Sequence, residues 1–219
     1  MAILTWDGTG ERLYETGDKQ GVIYPQSSTG TYPLGIAWNG LTAVTESPSG
    51  ADVTDLWADD IKYASIRATE TFGATIEAYT YPDEFAVCDG TAMPTDGVFI
   101  GQQPRKAFGF SFISTVGNDT DYNDHGYKVH LIYNATASPS EKSYTTINDS
   151  PDAITFSWEL NTTPVNVEGY KPTSNIVIDS TKADPDALAA LLAILHGTEN
   201  ADARLPLPDE VLDIMGANS

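Results

Sequence analysis

The feature that most constrains this chain is the rhythm of its apolar residues, which recur in short runs of period two broken by Gly, Pro, Asn and Asp. Period two belongs to a pleated strand, whose successive side chains point to opposite faces. The clearest run is Ile154 to Leu160, where Ile154, Phe156, Trp158 and Leu160 point one way and Thr155, Ser157 and Glu159 the other. The same reading predicts strands at Ile61 to Ala68, Ala74 to Tyr81, Ala107 to Val116, Tyr127 to Tyr133 and Ile176 to Asp179. Breaks this frequent suit a β-sandwich or barrel and leave no room for the crossover helices of βαβ units.

Turn chemistry supports the strand reading. Gly117 to Gly126 has the composition of a hairpin loop, and Asn39-Gly40, between Ile36–Trp38 and Leu41–Val44, predicts a type I′ hairpin turn. One helix stands out. Asp184 caps it, Pro185 occupies its first position, Leu188, Leu191, Leu192 and Leu195 form its apolar stripe, and Gly197 ends it. Beyond it, Arg204 to Pro208 reads as extended and Asp209 to Met215 as a short terminal helix. The expected fold class is mainly β (α+β): a β-sandwich or barrel with one C-terminal flanking helix. A length of 219 residues suits a single domain, 1–219, with an acidic loop at 46–60, the helix at 184–196 and a C-terminal extension at 198–219.

Composition excludes several functions. The chain has 31 acidic and 11 basic residues, a net charge of -20, which disfavours nucleic-acid binding through a basic face and adhesion to anionic membranes. Cys88 is the sole cysteine, so no intramolecular disulfide or Cys-rich zinc site can form. The N-terminus has no basic region followed by a long apolar run, and synthesis in the cytoplasm as a soluble protein is expected. Glu46 to Asp60 holds Glu46, Asp52, Asp55, Asp59 and Asp60 without a basic residue and reads as a solvated loop.

Chemical motifs are weak. Asp119 to Asp124 begins like a calcium loop, but the pattern needs Gly at Asp124 and Glu at His130. His125, His130 and His196 lack metal-ligand spacing with Cys88, and at the helix end a His196 imidazolium would favour the helix dipole. There is no Gly-x-Ser-x-Gly elbow and no Gly-rich phosphate loop, so neither an enzyme nor a cofactor is expected. Trp6, Trp38, Trp57 and Trp158 leave open a carbohydrate-binding β-sandwich that stacks sugars, although Trp158 on an apolar strand face reads as core. A glycoside hydrolase using two of the many carboxylates is a further alternative.

Several stretches taken together carry a resemblance. Thr5 to Arg12, Trp38 to Ala51, Phe72 to Phe85, Asp124 to His130, Ile147 to Trp158 and Arg204 to Val211 resemble the major tail proteins of long, non-contractile-tailed bacteriophages. The resemblance implies a virion protein of the tail, assembled in the host cytoplasm, whose copies form stacked, hexameric rings. Its implied partners are itself, a tape-measure protein, tail initiator and terminator proteins, and DNA in transient, non-specific passage. The chain departs from the family where Ile113-Ser-Thr-Val116 replaces basic residues, which removes a ring-to-ring salt bridge from that strand. Under this reading Glu77 and Glu159, on polar strand faces, are candidates for the lumen. Glu46, Asp52, Asp55, Asp59, Asp60, Arg204, Asp209 and Glu210 are candidates for ring-to-ring contact.

Overall fold

The computed structural model describes residues 3–147 and 152–216. Part of the Ile147 to Trp158 stretch and the last three residues of the C-terminal extension therefore lie outside the described residues. Fourteen strands are present among those described: β1 Tyr14–Pro25, β2 Ile36–Ala37, β3 Leu41–Glu46, β4 Ser49–Gly50, β5 Val53–Ala58, β6 Ile61–Arg67, β7 Glu70–Thr71, β8 Gly73–Ala78, β9 Ala92–Thr95, β10 Val98–Ile100, β11 Phe108–Asn118, β12 Tyr122–Ala137, β13 Phe156–Thr162 and β14 Asn175–Asp179. Two helices follow, α1 Pro185–His196 and α2 Pro208–Ile214. The mainly-β expectation holds, with a second C-terminal helix added to the one named in the expected fold class.

One antiparallel sheet runs in the order β2-β1-β11-β12-β13-β8-β3, and β14 pairs with the other part of β12. β12 changes neighbour along its length. Residues Lys128 to Ile132 pair with β14, and Ala135 to Ala137 pair with β13. Asn134, at φ 49°, marks the change, and the alternation of inward and outward side chains shifts there by one residue.

The sheet curls until its ends approach, and the chain crosses between them at Asn39-Gly40. Trp38 N–H donates to Gly21 O on the β1 side, and Tyr79 N–H donates to Gly40 O on the β8 side. The expected hairpin at Asn39-Gly40 is thus corrected: β2 pairs with β1 and β3 with β8, and only Gly40 takes a positive φ, 75°. The Gly117 to Gly126 loop is also shorter than expected, because β11 and β12 continue through most of it.

Two cores lie on opposite faces of this sheet. Inside the curl, Trp38, Phe85, Phe108, Phe110, Ile76 and Trp158 are buried, and Trp158 meets Phe85 at 5.2 Å and Trp38 at 5.4 Å in edge contacts. Outside, Leu188, Leu191 and Leu195 of α1 pack with Tyr24, Ile113, Leu131 and Tyr133, while Leu192 is partly buried. The Asp184 carboxylate accepts from the N–H groups of Asp186 and Ala187, as its capping position requires. Gly109 permits a close approach, since a Cβ there would lie 2.3 Å from Leu205 Cδ2.

The largest correction concerns the acidic segment 46–60. It is not a loop: β5 and β6 form a two-stranded hairpin, and Asp59 and Asp60 are its turn, with φ of 51° and 62°. The sequence signal misleads because Asp52, Asp59 and Asp60 flank a strand that faces solvent on both sides.

Candidate functional site

The β5–β6 hairpin is exposed at every position except Ala64, which is half-buried. Asp tolerates the left-handed turn because its short side chain bonds locally, so Asp59-Asp60 can replace the usual Asn-Gly. Facing pairs Thr54 with Ile66, Leu56 with Ala64 and Ala58 with Ile61 make one side of the ribbon apolar. Val53 with Arg67, Asp55 with Ser65 and Trp57 with Lys62 make the other side mixed. Lys62 at 2.8 Å and Ser65 at 2.7 Å bond Asp55 and hold its carboxyl below the usual carboxylate range. A two-stranded ribbon alone is marginal in water and needs a further surface for its apolar side. Its base is closed, with Ala68 N–H donating to Asp52 O and β4 pairing with β7.

A groove of about 400 Å³ opens where the two ends of the curled sheet face each other. Glu15, Gly17 and Asp18 line it from β1; Ala43, Val44 and Glu46 from β3; Phe112, Ser114 and His130 form its floor. The His130 ring stacks on Phe112 at 4.4 Å, with its nitrogens 2.9 Å from Ser114 Oγ and 3.3 Å from Glu46 Oε1. Burial pushes the imidazole below its ordinary pKa, against the pull of Glu46. This chain has the connectivity of an acyl-transfer triad, but Ser114 sits in mid-strand, paired with Asp18 of β1 and Lys128 of β12. The neighbouring backbone N–H groups therefore serve the ladders rather than converge on an oxyanion. The arrangement acts as a polar latch from the floor to the β3 lip, and the Lys128–Glu15 ion pair ties β12 to the β1 lip across β11.

Glu77 and Glu159 lie on one face of adjacent strands, in register with Ser157 and Thr75. That face is opposite the inner core, and the β13-β8-β3 portion carries no residue of the cluster under the helices. The C-terminal candidates are engaged within the subunit. Arg204 and Glu210 form a bidentate pair at 2.8 and 2.5 Å, which holds the Glu210 carboxyl below its ordinary range. Asp209 accepts from Glu168 N–H.

The tryptophans divide. Trp38 and Trp158 are core, whereas Trp6 and Trp57 are exposed on separate elements, so the four do not form one sugar platform. His196 is exposed at the end of α1, yet desolvation of its ring lowers its pKa, favouring the neutral ring over the imidazolium expected there. His125 lies 3.2 Å from Asp121, but no cluster of potential metal ligands occurs among the described residues. No described helix is long and apolar enough to cross a membrane.

Sequence reasoning missed both the hairpin and the groove. Period two is visible at Ile61 to Ala68, but β5, which carries only Asp55 of the five acids, has no core over it to impose an apolar alternation. Nothing in the sequence joins Glu46 to His130, which are 84 residues apart.

No family model and no curated protein matches the sequence. Among solved structures, a chain of the six-fold symmetrised anti-feeding prophage baseplate is similar at 8% identity and TM-score 0.38, over 82% of this chain and 99% of that one. A chain of the sheath–tube complex of an extracellular contractile injection system, PVC, is similar at 13% identity and TM-score 0.31, over 73% of this chain and 88% of that one. Both likenesses are too distant to bear on function.

Proposed function

We propose that this chain is a non-enzymatic structural subunit that assembles with copies of itself into stacked hexameric rings, the tail tube of a long-tailed bacteriophage. The observation that carries this reading is the β5–β6 hairpin, an exposed ribbon with an uncovered apolar side on a subunit whose own cores are complete. Such a ribbon is a template for pairing with a neighbour, and ring assembly gives it one. The sequence stretches that resemble major tail proteins supply the kind of assembly.

In this reading the polar face of β13, β8 and β3 lines the channel, with Glu77 and Glu159 toward passing DNA. If each of six subunits gives these three strands and the end of β12 that pairs with β13 to the wall, twenty-four strands at about 4.8 Å and a tilt near 40° enclose a backbone diameter of roughly 48 Å. A duplex passes through such a channel with room for inward side chains. The hairpin and its flanks, from Glu46 to Asp60 and on through β6, make the ring-to-ring contact. A tape-measure protein fills the tube during assembly, and initiator and terminator proteins bound it; the product is the virion tail, built in the host cytoplasm.

Negative-stain electron microscopy of the purified chain, concentrated stepwise, tests the proposal. Rings or tubes of uniform diameter are expected. A chain that stays monomeric at every concentration, with tail initiator present, refutes it.

A further inference from the structure

The two lips of the curled sheet face each other without joining. On β1 the outer edge from Tyr14 to Gln20 has no strand partner among the described residues, and the outer edge of β3 has none either. One end of the seam is closed by the Trp38 to Gly21 hydrogen bond and by Leu41 against Gly21. The other end opens into the groove floored by Phe112, Ser114 and His130. Two polar atoms at the lips, Asp18 Oδ2 on β1 and Thr42 Oγ1 on β3, are sealed from solvent without a hydrogen-bond partner among the described residues. A buried acceptor without a donor costs free energy that an incoming donor would recover.

The lips are also acidic. Lys128 answers Glu15 and His130 meets Glu46, but Asp18 has no ion pair among the described residues. Burial raises the Asp18 pKa, as expected of a carboxyl without a countercharge. The complementary element is β6, which has seven residues, an unpaired outer edge, and Lys62 and Arg67 out of only 11 cations in the chain. Among the described residues Lys62 is held only by the exposed Asp55, and Arg67 has no ion pair.

We propose that the β5–β6 hairpin of a second copy docks in this groove, β6 pairing with the free edge of β3 and bringing Lys62 and Arg67 to the acids of the lips. The inference rests on the self-assembly reading above and names the surface that receives the hairpin. β1 remains the opposite lip, because its edge is broken by shifts at Gly17 and Gln20, which hinder pairing. Strand addition makes β3 an interior strand and turns the mixed side of the ribbon, which carries Lys62 and Arg67, toward the acids of the lips.

Cys88 is buried with its thiol pushed up to about 12, so introduced cysteines report alone. Chains carrying Thr45→Cys on β3 are mixed with chains carrying Ala64→Cys or Ser65→Cys on β6, allowed to assemble, and mildly oxidised. A Thr45→Cys mixture with Thr5→Cys tests the exposed N-terminal segment as rival occupant. In parallel, a synthetic peptide of residues 60–68 is titrated into the unassembled chain. Expected are β3–β6 cross-linked dimers, and peptide binding weakened about tenfold or more by Asp18→Asn. Tubes that cross-link through Thr5→Cys, or through neither pair, overturn the groove and leave the tube reading standing. Peptide binding without tubes supports the groove and removes the tube reading. Absence of both tubes and peptide binding overturns both.

Discussion

Trp158 concentrates the energetics of the inner core at a single residue. Its ring is fully buried against Phe85, Trp38 and Tyr81, yet its indole N–H has no hydrogen-bond partner among the described residues. Trp158→Ala should therefore cost about 3–5 kcal/mol, the usual loss for a large aromatic. Trp158→Phe should cost less than about 1.5 kcal/mol, because the lost area is offset by removing an unsatisfied donor. Urea unfolding of the two variants checks this; equal losses would show that the N–H is bonded in solution. The histidines set a pH dependence. Desolvation lowers the pKa of both His130 and His196, so the unfolded chain binds more protons below the ordinary value of 6.5. Their contribution is fully present above pH 6.5 and is lost as pH falls through the lower folded values. Around His130, Glu46 and Glu15 oppose the shift and Lys128 reinforces it, so the loss there is partial. Thermal unfolding should show a lower midpoint at pH 5.5 than at pH 7.5, with the difference reduced by His196→Gln.

At the level of elements, the hairpin is separable from the body. Its base is already closed by the Ala68 to Asp52 hydrogen bond and by the β4–β7 pair, so replacing 53–67 with a two-residue turn leaves no broken ladder. The excised chain should keep its unfolding midpoint within a few degrees, as expected for a surface ribbon that adds little to the core. It should form no tubes in electron micrographs. Removing 46–60 instead would delete β5, strip β6 of its partner and take Glu46 from His130, so that variant should lose stability as well as assembly. Asp184→Ala, by contrast, should cost about 0.5–2 kcal/mol through loss of the cap of α1, measurable in the same unfolding experiment. These elements differ in how legible they are in sequence. The helix is legible because cap, proline, leucine stripe and terminal glycine all act within one segment. The alternation of Ile154 to Leu160 is legible for the same reason, although the paired strand begins only at Phe156. Asn39-Gly40 reads wrongly because the strands flanking it bond to β1 and β8, a choice made by partners distant in sequence.

For the whole molecule, the lumen assignment unites the sheet order with the charge. Alternation alone separates Glu77 and Glu159 from Ile76 and Trp158; pairing of β8 with β13 then puts both acids on one face, and the helices cover the sheet elsewhere. The seam groove, in contrast, depends on curvature that joins residues from four strands, and no local pattern encodes it. Every copy brings a net charge of -20, yet two like charges about 8 Å apart in water repel by only about 0.5 kcal/mol, with a Debye length also near 8 Å. Under the proposed tube reading no single carboxylate would drive DNA; Glu77 and Glu159, repeated around every ring, would keep phosphates from finding a resting place. Reversing the sign turns each ring into a set of phosphate sites repeated along the tube, and weak contacts add over the length of the duplex. Tubes of the Glu77→Lys, Glu159→Lys chain should therefore assemble at the parental diameter, because both side chains point away from the inner core. Phage carrying them should release DNA more slowly than the parent in a dye-accessibility ejection assay, with the delay shrinking as salt rises. Parental ejection kinetics from such tubes at low salt would place these carboxylates away from the lumen.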